Sequence, residues 1–364
     1  VSSINTIFVI MKKLTLLLSS CFTAIAMFNS CSNDFDLVDT WKDIPVVYGL
    51  LNANDSIQYI KIEKAFLDET TSALIVAQEP DSLYYSDISV KLEEQNSNGA
   101  VQREIPLDLV DANNEGFPKE EGIFATTPNY VFKTVEPLNE ERRYNIVINT
   151  GGDSGKTITL EEKNGQRSIG LIGDIAVLKP TLNNPYLFEV GRKADFKWRL
   201  IDGSGEPNAA FYDVVMFIHY TERQQGNTPI NKVLEWTLSK NRSANDDNAI
   251  QTLEVEGVAF YQYMSQQLDP VGLDVCRELQ GFDFAIYAGG EDLYEYINRQ
   301  AANTGITGTQ PLVDYTNLSE GIGILSTRYD KRLNGLSFRA NVIDELIVND
   351  LTRDLGFRDS GDCN

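Results

Sequence analysis

The sequence predicts a mainly β chain with some α: an N-terminal Ig-like antiparallel β-sandwich followed by a second β-rich domain carrying helices. Three observations carry that expectation. Short apolar segments alternate with polar residues at period two, as at 88–94 and 194–200. Turn clusters of Asn, Asp, Gly and Ser separate them, as at 52–55, 95–99 and 151–155. Helical spacing appears only late, first at Phe260, Tyr261, Met264 and Leu268.

In order, residues 45–51 and 56–66 form a hairpin around the turn 52–55. A bulge is expected in its second strand, where Ile60 and Ile62 shift the phase set by Ile57 and Tyr59. Residues 88–94 pair with 101–109, and further short strands lie at 130–133, 144–148 and 156–160. This sandwich domain spans 44–180. Pro180, Asn183, Asn184 and Pro185 mark a linker, and the second domain spans 186–364. There, Phe196, Trp198 and Leu200 share one strand face. Residues 211–220 present Tyr212, Val214, Met216, Ile218 and Tyr220 as a continuous apolar face and pair with 230–238. A helix at 258–268 precedes a strand at 281–288. A helix at 291–302 carries Leu293, Ile297 and Ala301 on one stripe. The strand 321–329 holds Gly321 and Gly323, which permit close backbone approach. Residues 342–355 read as a final amphipathic helix.

The chain has 364 residues, with 53 acids against 31 bases and a net charge of −22. So acidic a surface argues against nucleic acid and against electrostatic docking on anionic lipid. The N-terminus reads as an address. Met11, Lys12 and Lys13 form a positive start, and 14–28 an apolar run too short to span a membrane. Residues 1–10 read as an upstream extension. The whole of 1–30 resembles a lipoprotein-type signal peptide, with Ser30 as the small residue before a lipidated Cys31. Cys21 would leave too short an apolar run. Residues 31–43 then form a lipidated tether, acidic at Asp34 and Asp36. The expected location is the outer membrane, with the cell surface favoured over the periplasmic face.

Chemistry is sparse. His219 is the one imidazole, and Asp213, six residues away on the same strand face, is too distant to orient it. Residues 111–116 open like a calcium loop, but position twelve is Gly122 rather than glutamate, so an acidic loop is the expectation. The same holds for 245–248. Cys276 and Cys363 are the thiols left beyond the signal and anchor. In an oxidising envelope such a pair tends to close into a disulfide, the alternative being a buried Cys276 and a frayed Cys363. Trp41, Trp198 and Trp236 do not cluster, which points to core packing rather than a stacking platform. No phosphate loop, dinucleotide fingerprint, zinc motif or nucleophile elbow is present, so no metal or cofactor and no catalytic constellation are expected.

Cys31 with its acidic follow-on, the runs 45–52 and 59–66, and 321–324 together resemble uncharacterised outer-membrane lipoproteins of Bacteroidota with an Ig-like first half. That resemblance implies a non-enzymatic accessory or scaffold to an outer-membrane barrel or another envelope protein. The alternative is a surface protein binding a glycan or a peptide. Asp55-Ser56-Ile57 and Asp81-Ser82-Leu83 resemble the acid-hydroxyl-aliphatic O-glycan acceptor of the same bacteria, placing candidate O-glycosylation at Ser56 and Ser82.

Overall fold

A computed structural model describes residues 44–65, 73–151, 155–201, 208–224, 226–244, 250–303, 315–359 and 361–363. Residues 1–43, which hold the expected signal peptide, Cys31, the expected tether and Trp41, and the loop 245–248 lie outside the described residues. The chain is mainly β, with a large mixed sheet, a second small sheet and short helices. No helix among the described residues is long and apolar enough to cross a membrane.

The first body is an antiparallel sandwich. β1 (Ile44–Leu51), β2 (Gln58–Ala65) and β5 (Tyr130–Thr134) form one layer. β3 (Ile88–Gln95), β6 (Arg143–Thr150), β7 (Thr157–Ile158) and β8 (Ile169–Gly170) belong to the other. β4 (Val101–Asp111) crosses between them: its first part pairs with β3 and its last four residues with β5. Inward residues fill the space between, among them Val47, Ile60, Leu92, Ile105, Phe132, Tyr144 and Ile146. α1 (Ala73–Val76) and α2 (Pro80–Leu83) sit at one end.

The expected bulge in the second strand does not form. β2 pairs with β1 without a register shift, and its core face is Gln58, Ile60 and Ile62. Ile57 lies before the strand. The polar Gln58 breaks the apolar pattern yet is buried because its amide is fully used: it accepts from Asn52 N at 3.1 Å and donates to Asn52 O at 2.8 Å and Asp55 O at 3.0 Å.

The second body layers β11 (Phe211–Gln224), β12 (Ile230–Ser243), β14 (Val275–Gly289) and β15 (Ile322–Leu336) over a three-stranded sheet. That sheet holds β9 (Asp174–Lys179), β10 (Lys193–Ile201) and β13 (Gln251–Glu256). The even face of β11 packs inward as the alternation requires, and Trp198, Phe196, Phe260 and Phe284 join it. Stacked rings at 5.2 Å (Phe196 with Phe284) and 4.9 Å (Phe188 with Phe260) tie the layers together. α3 (Gly257–Gln267) buries Phe260, Tyr261 and Met264. α4 (Glu291–Asn303) connects β14 to the segment before β15.

The final helix is shorter than its periodicity implies. α5 spans Ala340–Val348 and stops where side chains take over backbone partners. Asn349 Oδ1 accepts from Leu351 N at 3.0 Å, and Thr352 Oγ1 donates to Leu346 O at 2.7 Å.

The segment 180–185 connects the paired strands β9 and β10, so the second body begins before it. The two bodies are also joined directly. β1 pairs in parallel with β15 over Val46–Leu51 and Ile322–Thr327, and Asp43–Asn364 is one compact unit. Gly321 and Gly323 make this seam possible. Both have positive φ, and a Cβ would meet Pro45 O at 2.5 Å and Val47 O at 2.0 Å respectively.

Candidate functional site

The seam also creates an apolar cleft, about 410 Å³ in volume, on the outer face of β1 and β15. Along each strand one phase enters the core and the other faces out. Val47, Leu51 and Leu325 go inward, leaving Tyr48, Leu50 and Ile324 as the floor of the cleft. α4 forms a wall with Leu293 and Tyr296. Its first turn carries Glu291 and Asp292, which suit the positive end of a helix. Leu293 N donates to Ser326 Oγ at 3.1 Å and Gly290 N to Thr327 O at 2.9 Å, fixing the helix start to β15. Tyr296 meets Tyr48 edge to face at 6.0 Å.

The far end is charged. Arg328 pairs with Asp55, and with Asp330 at 3.3 Å. Asp55 is held by the Asn52–Gln58 clamp and by Asn52 Nδ2 at 3.1 Å. Tyr59 closes the opposite rim. Its hydroxyl donates to Glu115 at 3.0 Å, and its ring meets Phe117 at 5.5 Å. Two tyrosines and an arginine therefore surround an apolar floor to which Tyr48 adds a third ring.

Beyond Arg328 the outer face of β11, β14 and β15 continues this composition. Tyr287 is 40% exposed, and Arg332 lies over the Phe217 ring at 4.2 Å. Arg332 donates to Asp283 at 2.7 Å, and His219 Nε2 lies 3.0 Å from the same carboxylate oxygen. The partner of His219 thus comes from the adjacent strand, where it stands opposite Phe217, two pairs along the ladder on the same face, and not from Asp213, whose carboxylate instead accepts from Asn241 N. Burial alone would raise the Asp283 pKa. Hydrogen bonds from Gly335 N, Arg332 and His219 outweigh it and hold the carboxyl below its usual range. A carboxyl depressed in this way stabilises the fold above its unfolded pKa near 4, and that contribution is lost as pH falls through the lower folded value. Asp283→Asn is therefore expected to cost about 1.5–3 kcal/mol at pH 7, the range for a hydrogen bond to a charged group. The difference from wild type should shrink at pH 3. Urea unfolding at the two pH values measures both.

Other residues singled out by sequence are placed plainly. Ser56 is exposed in the turn before β2, beside the cleft residues Asp55 and Ile57. Ser82 is half-buried in α2. Cys276 and Cys363 are joined in a disulfide. Oxygens of Asp111, Asn113 and Glu115 in the loop 111–116 are already engaged. Asp111 Oδ1 accepts from Asn113 N and Asn129 N, Asn113 Oδ1 from Lys119 N, and Glu115 from Lys133 Nζ at 2.5 Å. No metal-ligand cluster occurs among the described residues. Trp198 is fully buried and Trp236 packs against the same core. Every carboxyl group with a displaced pKa among the described residues is displaced downward: Glu115, Asp174, Asp195, Glu222 and Asp283.

Tyr48, Tyr59, Tyr296 and Arg328 were not distinguishable from core aromatics and surface charge in the sequence. The available signal was phase: each tyrosine on β1 and β2 occupies the outward position of its strand.

Compared with protein-family models and with curated proteins, the chain matches none.

Proposed function

We propose that this chain is a non-enzymatic lipoprotein of the cell envelope, held at the outer membrane by Cys31, that acts as an accessory to an outer-membrane protein partner. One observation carries the reading: the tyrosine-rimmed apolar cleft runs on into an outward sheet face bearing Tyr287, Arg332 and Phe217. Protein interfaces draw their energy from tyrosine, tryptophan and arginine anchors seated in apolar pockets within a polar rim. Here the receiving pocket, its aromatic rim and pre-paired arginines lie on one surface. The lining is mainly apolar, which suits an aromatic or aliphatic side chain of a partner better than a hydroxyl-rich sugar. The acids at Asp34 and Asp36 favour the cell surface as the side on which this occurs.

Site-specific photo-crosslinking tests the reading. A photoreactive residue at Tyr48 or Tyr287 in native membranes should give one discrete protein adduct, and the same residue at Leu351 should not. Equal labelling at all three positions, or a glycan or peptide adduct in place of a protein, would contradict it. Truncating an anchor should also show in affinity. Tyr296→Ala is expected to weaken a purified complex by about 2 kcal/mol, or some thirty-fold.

A further inference from the structure

The pole of the sandwich bearing α1 and the loop 112–129 carries a second apolar surface, which meets the rim of the cleft at Phe117. Leu74 and Ile75 are about three-fifths exposed, Phe117 and Ile123 nearly as much, and Phe124 is 47% exposed. The set is built rather than frayed. Ala125 N donates to Ala77 O at 2.9 Å, Gln78 Nε2 bonds Ile123 O, and Leu83, Tyr84 and Ala125 form a small core beneath. Five large apolar side chains are thus fixed outward on a pole with its own interior. Scattered single exposures are ordinary, but several gathered at one end of a fold are suited to a protein or membrane contact.

Strand register says which. Ile44, the first residue of β1, pairs with Ala65, the last of β2. Ile60 pairs with Phe132, so Tyr130 at the start of β5 and the loop preceding it lie toward that same end. The chain from Cys31 therefore enters the fold at the apolar pole. Thirteen residue steps separate Cys31 from Ile44 and reach at most roughly 45 Å when fully extended. A lipid on Cys31 is thus tethered through this pole, the end of β1 that approaches the bilayer with the least extension of the chain.

We infer that this pole seats in the lipid surface that holds the anchor, with Leu74, Ile75, Ile123 and Phe124 entering the headgroup region. The inference rests on the lipid-anchor reading of Cys31. The neighbouring charges set the depth. Lys119 lies over the Phe124 ring with its ammonium 5.3 Å from the centroid, an apolar stem beside a polar tip. Glu120 and Glu121 in the same loop are exposed and hold the contact at headgroup level. With a net charge of −22 the favoured surface is zwitterionic. Shallow apolar side chains add to the hold of the acyl anchor and orient the fold, fixing the height of the cleft above the membrane.

The test uses the full lipidated chain in vesicles of phosphatidylcholine and phosphatidylethanolamine. An environment-sensitive fluorophore is placed on Phe124→Cys or, as control, on Leu273→Cys, which is 95% exposed before β14. The probe at 124 should shift to the blue and be quenched by headgroup-level nitroxide lipids, and the probe at 273 should do neither. Adding Ile75→Glu and Ile123→Glu should return the 124 probe to aqueous emission, with near-ultraviolet circular dichroism unchanged. Aqueous emission at 124 from protein that floats with the vesicles would overturn the inference and leave the pole facing a protein. Failure to float would instead remove the anchor reading, and this inference with it.

Discussion

Replacing Gly323 with alanine is expected to cost roughly 4 kcal/mol or more, a size rare for one methyl group. The added Cβ would lie 2.0 Å from Val47 O, and φ at this position is +105°. Neither the backbone oxygen nor the strained dihedral has a cheap escape, because Val47 is itself fixed in the core of the sandwich. The site is the only parallel ladder among the described strands and the join between the two bodies. Gly335→Ala is the control. It also has positive φ, +73°, but nothing lies within 4 Å of its Cβ position, so about 1 kcal/mol is expected. Denaturant unfolding of the two variants checks the contrast. Equal losses would mean that backbone strain alone, and not the close approach at the seam, sets the cost.

Opening the Cys276–Cys363 disulfide is expected to cost about 4–5 kcal/mol, because the bridge closes a loop of 87 residues and long loops forfeit the most entropy when released. The native contacts around it should survive. Arg277 N donates to Gly356 O at 2.8 Å and Arg277 Nη1 to Leu355 O at 2.9 Å, while Leu355 and Phe357 remain buried. The paired substitution Cys276→Ser and Cys363→Ser should therefore leave far-ultraviolet circular dichroism unchanged at 25 °C while lowering Tm by on the order of 10 °C. Unfolding insensitive to reductant would contradict this.

Local patterns were legible in the sequence, and long-range ones were not. The even face of β11 and the triplet Phe196, Trp198 and Leu200 were readable because alternation at period two directly reports which side is buried. Gly321 and Gly323 signalled close approach, but not to what. Their neighbour is β1, more than 270 residues earlier, and pairing across such a distance leaves no trace in either strand's periodicity. The cleft fails to show for the same reason: Tyr48, Tyr296 and Arg328 meet only after the seam forms. Gln58 misled because polarity normally marks the solvent phase, and only the Asn52 clamp makes its burial tolerable. His219 gave its type but not its partner, since Asp283 lies on the adjacent strand.

The central claim is that a partner seats on the seam cleft of an anchored protein. Its most direct test is a mild-detergent pull-down of the tagged chain from native outer membranes, alongside Cys31→Ala and the pair Tyr48→Ala with Tyr296→Ala. The account predicts one stoichiometric outer-membrane protein with the wild type, lost in Cys31→Ala and strongly reduced in the tyrosine pair. Recovery of the wild type alone from fully solubilised membranes, or an unchanged partner with the tyrosine pair, would contradict it.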